Sequence, residues 1–229
     1  MKYNWYSVPP RILLTIAWVP SRWLVRFFCH FQVCGKKNLT GLRQAIFACN
    51  HASEFDPVLL AAALSPLGPF APLFFVTAPI GTFKDKGFGL RRHVYTSTFF
   101  KMLGAYPINA GLHDYAKTLK DYIQILKDGG SVCIFPEGAI TKTGELGEAH
   151  GGAAFLSSVA GVPIVPTALK GTFNITPREF IKRYRSISVT FGEPQFPALL
   201  PVGVPQTVDM YRHRAQTIMD TVGLMLKSG

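Results

Sequence analysis

A chain of 229 residues is long enough to bury a substantial core, and no composition break or linker divides it, so one principal domain is expected. Its 24 Lys and Arg against 13 Asp and Glu give a formal charge of +11, which suits an anionic membrane surface or an acidic carrier of substrate. No nucleic-acid module or arginine-rich tract accompanies that charge, so nucleic acid is not expected as a partner.

Residues 1–34 are rich in aromatic and aliphatic side chains but are interrupted by Arg11, Arg22 and Arg26. No uncharged stretch approaches the roughly 20 residues of a spanning helix, so this segment is not expected to cross a bilayer. Ile12, Ile16, Val19, Trp23, Phe27 and Phe31 recur at three- and four-residue steps, the arginines share one flank, and Pro20 splits or kinks the helix. The expectation is a pair of amphipathic helices lying in a membrane surface, anchored by Trp5, Trp18 and Trp23. The domain division is accordingly 1–34, interfacial helices, and 35–229, catalytic domain.

The body alternates strand-like and helix-like segments and reads as an α/β fold. Strands are expected at Ala45 to Cys49, Leu73 to Thr77, Ala105 to Ile108, Val132 to Phe135, Ile164 to Leu169 and Ile187 to Phe191. Leu112, Tyr115, Ala116, Leu119, Tyr122, Ile123 and Leu126 form a helical stripe that ends at Gly129-Gly130. Further helices are expected over Gly147 to Ala160 and from Val208 to Met225. Cys29, Cys34, Cys49 and Cys133 have no metal-ligand spacing and read as buried thiols in a reducing compartment, so neither a metal nor a cofactor is implied.

Two segments carry chemistry. Asn50-His51-Ala52-Ser53-Glu54-Phe55-Asp56 leaves the first apolar strand and opens the apolar run Pro57 to Leu64. At such an exit an imidazole faces a cleft, and an aspartate a turn and a half later folds back onto one ring nitrogen, leaving the other free to take a proton. Phe135-Pro136-Glu137-Gly138 ends a later strand in the same manner. No G-x-S-x-G elbow is present, and Ser53 lies too close to His51 along the backbone for a Ser-His pair, so direct attack by an acceptor is the simpler scheme.

Together these segments resemble the glycerolipid (lysophospholipid) acyltransferase family, the relatives of 1-acylglycerol-3-phosphate acyltransferase, with their His-x4-Asp and Phe-Pro-Glu-Gly hallmarks. The resemblance extends to Leu103-Gly104-Ala105-Tyr106-Pro107-Ile108, Gly161-Val162-Pro163-Ile164-Val165-Pro166 and Ser188-Val189-Thr190-Phe191-Gly192-Glu193-Pro194. It implies a mixed central sheet flanked by helices, and transfer of a fatty acyl group from a thioester, acyl-CoA or acyl-carrier protein, to a hydroxyl. His51 and Asp56 are then catalytic. Glu137 and Gly138 resemble the acceptor-binding motif, whose carboxylate bonds acceptor hydroxyls and whose glycine lets the backbone approach. Asn50 orients the loop around His51 or donates toward the oxyanion, and Ser53 and His150 join it among the residues expected to meet substrate. The protein is expected on the cytoplasmic face of a membrane, attached without spanning it; its oligomeric state is not legible.

Some positions depart from the family. Where the phosphate-binding relatives carry arginines, this chain has Ala110 and Ile140, and where they carry a lysine pair it has His150 and Gly151. A charge-assisted contact to phosphate contributes roughly 1.5 to 3 kcal/mol, and neither alanine nor isoleucine makes one. The expected acceptor is therefore a lyso-lipid or related hydroxyl compound lacking the usual phosphate contact. The alternatives are 1-acylglycerol-3-phosphate acyltransferase proper and a non-catalytic membrane-bound lipid-binding protein. Phe70, Phe74, Phe75, Phe99 and Phe100 are candidate walls of an acyl tunnel or plain core.

Overall fold

The structure is a computed structural model that describes residues 5–78, 96–108, 114–176, 178–179, 185–197 and 207–228. Seven strands form one sheet: β1 (His30–Cys34), β2 (Ile46–Cys49), β3 (Leu73–Thr77), β4 (Ala105–Pro107), β5 (Ser131–Ile134), β6 (Ile164–Lys170) and β7 (Ser186–Phe191). Their order is β1-β7-β6-β2-β5-β3-β4. Every pairing is parallel except β6 with β7, so five strands run one way and the β7–β1 edge runs the other. This is the mixed α/β sheet expected from the sequence.

Strand alternation sorts the core into two sides. Ala45, Phe47 and Cys49 point to one face, with Phe75 and Cys133, against Leu59 and Leu60 of α2 (Asp56–Ala63) and Val25 of α1 (Val8–Phe28). Ile46, Ala48, Phe74, Val132 and Ile134 point to the other, with Leu119 and with Tyr122, Ile125 and Leu126 of a helix numbered α5 (Lys120–Lys127). Short helices α3 (Ser97–Met102) and α4 (Tyr115–Thr118) precede it, and α6 (Gly152–Ala160) and α7 (Val208–Lys227) complete the second layer. Phe74 thus faces away from Phe75, so the phenylalanine stripe does not wall a single tunnel: Phe70, Phe74 and Phe75 are buried core.

The front end differs from expectation in three ways. One helix, α1, replaces the expected pair, with Pro20 inside it. Pro20 and Ile16, the residue whose carbonyl it leaves without an N–H, are both exposed, so solvent accommodates the missing bond. Residues 30–34 are not helical but form β1, whose half-buried alternation pairs it with β7. Trp18 is not an outward anchor, because its indole N–H donates to the Leu64 carbonyl at 2.7 Å.

Arg11 and Arg22 likewise face the domain, donating to the carbonyls of Ala71 at 2.7 Å and Ala62 at 2.5 Å. Ile12, Ile16, Val19, Trp23 and Phe27 point outward, with Ile16 67% and Trp23 62% exposed. The helix therefore packs by Pro10, Val25 and Phe28 together with Arg11, Trp18 and Arg22, and presents a second apolar stripe outward, unlike an ordinary surface helix. Among the described residues no helix is long and apolar enough to cross a membrane.

Smaller departures have local causes. The helix expected from Gly147 starts only at Gly152, after a segment that turns back to the Pro136–Gly138 loop. Cys29, Cys49 and Cys133 are buried as expected, but Cys34, on the outer face of the edge strand β1, is exposed. Ala110 and Leu112 lie outside the described residues.

Candidate active site

Strands β2 and β5 are neighbours, with Ile46 opposite Val132 and Ala48 opposite Ile134. The same register carried three residues past the last pair, Ala48 and Ile134, sets His51 beside Glu137. The two sequence segments thus meet at the carboxyl ends of adjacent parallel strands, where open α/β sheets place their clefts.

Asp56 is the first residue of α2 and is fully buried. Its Oδ2 accepts from His51 Nδ1 at 2.9 Å, from the Ala52 backbone N–H at 2.7 Å and from the Ser53 backbone N–H at 2.8 Å. The helix N-terminus adds a favourable partial positive charge. Oδ1 has no hydrogen-bond partner among the described residues. A carboxylate only accepts, so Nδ1 carries the hydrogen and Nε2 presents a lone pair. The His51 side chain remains 17% exposed, so that lone pair is reachable. The ring stacks on Phe135, centroids 4.0 Å apart and planes 18° from parallel, which fixes the imidazole plane.

Glu137 also meets His51, through its backbone. Oε1 accepts from the His51 N–H and Oε2 from the Gly147 N–H, each at 2.8 Å, while the Thr141 N–H donates to the His51 carbonyl at 2.8 Å. Glu137 therefore ties the His51 loop to the loop before α6. Each of its oxygens retains a lone pair for a hydroxyl. Gly138 has φ +73°, and a Cβ there would lie 3.1 Å from His150 Cδ2 and 3.4 Å from Nε2. The missing side chain is what lets the exposed His150 ring lie against this turn, and the His150 N–H donates to the Pro136 carbonyl at 2.8 Å.

Asn50 is tied to β6. Its side chain is buried, with Nδ2 donating to the Leu169 carbonyl at 2.9 Å and Oδ1 accepting from the Leu169 N–H at 2.8 Å. That reciprocal pair locks the exit of β2 to the end of β6, and an amide engaged in this way is not directed at an oxyanion. Ser53 Oγ accepts from the Phe55 N–H at 3.2 Å and stabilises the turn into α2. Sequence reasoning misses Phe135 as the platform under His51, although it begins one of the two chemical motifs. It also misses the Gly147 N–H, whose part in the site leaves no side-chain signature. Among the described residues no cluster of His, Cys, Asp and Glu is arranged to hold a metal ion.

Comparisons with known proteins give the family and the fold. The family model for acyltransferases matches residues 30–170, beginning at β1 and covering both loops, and the chain belongs to that family. The chain is 26% identical over 163 residues to the 1-acyl-sn-glycerol-3-phosphate acyltransferase of Bacillus subtilis, covering 71% of this chain and 72% of that protein. It is 38% identical over 78 residues to the chloroplastic 1-acyl-sn-glycerol-3-phosphate acyltransferase BAT2 of Brassica napus, covering 33% of this chain and 23% of that protein. It spans 46% of a Mycoplasma pneumoniae relative to which the same activity is ascribed, 25% identical over 134 residues and 57% of this chain. The fold matches the crystal structure of the 1-acyl-sn-glycerophosphate acyltransferase PlsC from Thermotoga maritima. The TM-score is 0.61 at 20% identity, over 90% of this chain and 76% of that one.

Proposed function

We propose that this member of the acyltransferase family moves a fatty acyl group from a thioester, acyl-CoA or acyl-carrier protein, to a hydroxyl of a lyso-lipid-type acceptor at a membrane surface. The observation that carries the reading is the His51–Asp56 pair: Nδ1 is held 2.9 Å from Oδ2, and the His51 side chain keeps 17% of its surface exposed. The acceptor hydroxyl gives its proton to His51 Nε2 as its oxygen attacks the thioester carbonyl. The tetrahedral adduct then collapses by breaking the C–S bond, and the imidazolium returns the proton to the departing thiolate. Buried Asp56 stabilises the imidazolium between those two steps. A base so positioned is worth roughly 100- to 10,000-fold in rate.

Membrane attachment is proposed on the cytoplasmic face, through the outward apolar stripe of α1, without a spanning helix. Phe55 and Val58, 52% and 43% exposed at the start of α2, add apolar surface near the base. Such a surface favours an acceptor taken from the bilayer plane.

Ile140, 39% exposed beyond Gly138, supports an acceptor held without the usual phosphate contact, with Glu137, Gly138 and His150 facing its polar end. The names of the relatives favour a second reading, acylation of 1-acylglycerol 3-phosphate itself. Purified protein given palmitoyl-CoA and an equimolar mixture of lysophosphatidate and monoacylglycerol separates the two. Preference for monoacylglycerol is expected, and a large preference for lysophosphatidate favours the second reading. Absence of acyl transfer to either, with tight binding to lipid vesicles, would instead identify a non-catalytic lipid-binding protein.

A further inference from the structure

Helix α2 is held at both ends. Its first residue, Asp56, is fixed by the three donors on Oδ2, one of them the catalytic imidazole. Its last turn leaves carbonyls that no intrahelical N–H can satisfy. Arg22 and Trp18, one turn apart on α1, supply the missing donors to Ala62 and to the C-cap residue Leu64, at 2.5 and 2.7 Å. The Arg22 guanidinium carbon also lies 5.3 Å from the centre of the Trp18 ring, so the two side chains brace each other. A cation at a helix C-terminus is favoured by the helix dipole as well.

Arg22 is partly withdrawn from water, and burial followed by the nearby Arg26 pushes its guanidinium pKa down. A group kept there at that cost needs a compensating partner, and the Ala62 carbonyl is the partner observed. At about 1.5 Å per residue, the eight residues of α2 make a strut roughly 12 Å long between this clamp and the dyad. The opposite face of α1 is the exposed apolar stripe.

We infer that Arg22 and Trp18 are positioning residues for acyl transfer: by clamping the carboxyl end of α2 they set where Asp56, and through it the His51 ring, stands relative to substrate. The inference rests on the acyltransferase reading but extends it from the loop at the sheet edge to a pair of side chains that touch neither substrate nor base. It makes α1 part of the catalytic geometry in addition to its proposed attachment role. A misplacement of even 1 Å in a catalytic group is costly, whereas substrate affinity is set elsewhere, so the signature is a fall in kcat with KM unchanged.

The test compares the full chain with Arg22→Met, Trp18→Phe and Arg22→Lys. Turnover of palmitoyl-CoA with monoacylglycerol and with lysophosphatidate in mixed micelles is measured, together with hydrogen exchange of residues 52–64 and binding to phosphatidylglycerol vesicles. Arg22→Met and Trp18→Phe are each expected to lower kcat about fivefold or more, at unchanged KM and vesicle binding, with exchange over 52–64 accelerated. Arg22→Lys, which keeps a donor, is expected to recover most of kcat. Unchanged kcat in both Arg22→Met and Trp18→Phe overturns the inference, as does a loss that simply follows loss of vesicle binding. If Arg22→Met fails to fold, Trp18→Phe decides alone, since it removes one N–H and keeps an aromatic ring. An unchanged chain without turnover overturns the acyltransferase reading instead, and exchange over 52–64 then decides whether the clamp holds α2: no acceleration in Trp18→Phe sinks it.

Discussion

Glu137 Oε1 accepts a hydrogen bond from the backbone N–H of His51 at 2.8 Å, so the second motif positions the first through the main chain. The other oxygen takes the Gly147 N–H, and an amide side chain cannot accept at both positions. Glu137→Gln is therefore expected to lose one of the two bonds and Glu137→Ala both. Hydrogen bonds to charged groups contribute roughly 1.5 to 3 kcal/mol each, so Glu137→Ala should lose about 3 to 6 kcal/mol of stability and Glu137→Gln about half of that. Urea unfolding of the purified variants checks the order. Turnover should fall in the same order, because the His51 loop loosens in each.

Asp56 offers a sharper separation of chemistry from folding. In the Asp56→Asn variant the side-chain carbonyl oxygen in the Oδ2 position can still accept from Nδ1 and from the Ala52 and Ser53 N–H groups, but the negative charge that stabilises the imidazolium is gone and the new NH2 falls at the partnerless Oδ1 position. We expect this variant to lower kcat by about 100- to 10,000-fold, with near-native circular dichroism. His51→Ala should fall at least as far. Retention of more than a tenth of wild-type kcat in Asp56→Asn would remove Asp56 from the mechanism.

How much of this is legible in the sequence follows from the range of each interaction. Leu73 to Thr77 is read with its observed bounds, and Val132 to Phe135 within one residue, because short apolar runs flanked by turn residues are local signals. β1 escapes because Phe31 continues the i, i+4 series from Phe27, so the helical period absorbs a strand whose own alternation spans five residues. The His51–Asp56 contact is readable because both residues belong to one turn. The Asn50–Leu169 pair, separated by 119 residues, is not. Nor is the adjacency of β2 and β5, which depends on strand order and brings Glu137 to His51.

Asn50 gives a prediction of the opposite kind, on stability first. Asn50→Ala strands the buried N–H and C=O of Leu169, each of which costs about 1 to 3 kcal/mol when left unsatisfied. A loss of roughly 2 to 6 kcal/mol in urea unfolding is expected, with the remaining folded protein reduced in kcat because the exit of β2 is no longer fixed. Wild-type stability in this variant would mean that the β2–β6 junction has another lock.

Thiol chemistry reports on the same layer beneath the site. Cys49 and Cys133 lie with their sulfurs 3.9 Å apart and fully buried. Burial pushes the Cys133 thiol pKa well up, the Cys49 contact adding to it, and burial raises that of Cys29. A raised pKa means less thiolate at any given pH, and the thiolate is the reactive form. At pH 8, native protein should therefore react rapidly with Ellman's reagent at one thiol, exposed Cys34, and at the other three only after unfolding. Rapid reaction of Cys49 or Cys133 would show that the core beneath His51 opens.

The proposed membrane attachment is tested by reversing the chemistry of the stripe while leaving the clamp intact. Ile16 and Trp23 are 67% and 62% exposed and face away from the domain, so changing them removes little packing. Surface substitutions of this kind are usually within about 0.5 kcal/mol of neutral, so Ile16→Glu and Trp23→Glu should unfold at close to the wild-type urea midpoint. Inserting an isoleucine-sized side chain into an apolar phase is worth about 1.5 to 3 kcal/mol, and the double variant should bind phosphatidylglycerol vesicles at least about 100-fold more weakly. Activity on a micellar acceptor should fall through KM, since the surface concentration of acceptor is lost, while kcat at saturation is retained because Arg22 and Trp18 still hold α2. Wild-type vesicle binding in the double variant would mean that α1 is not the attachment surface.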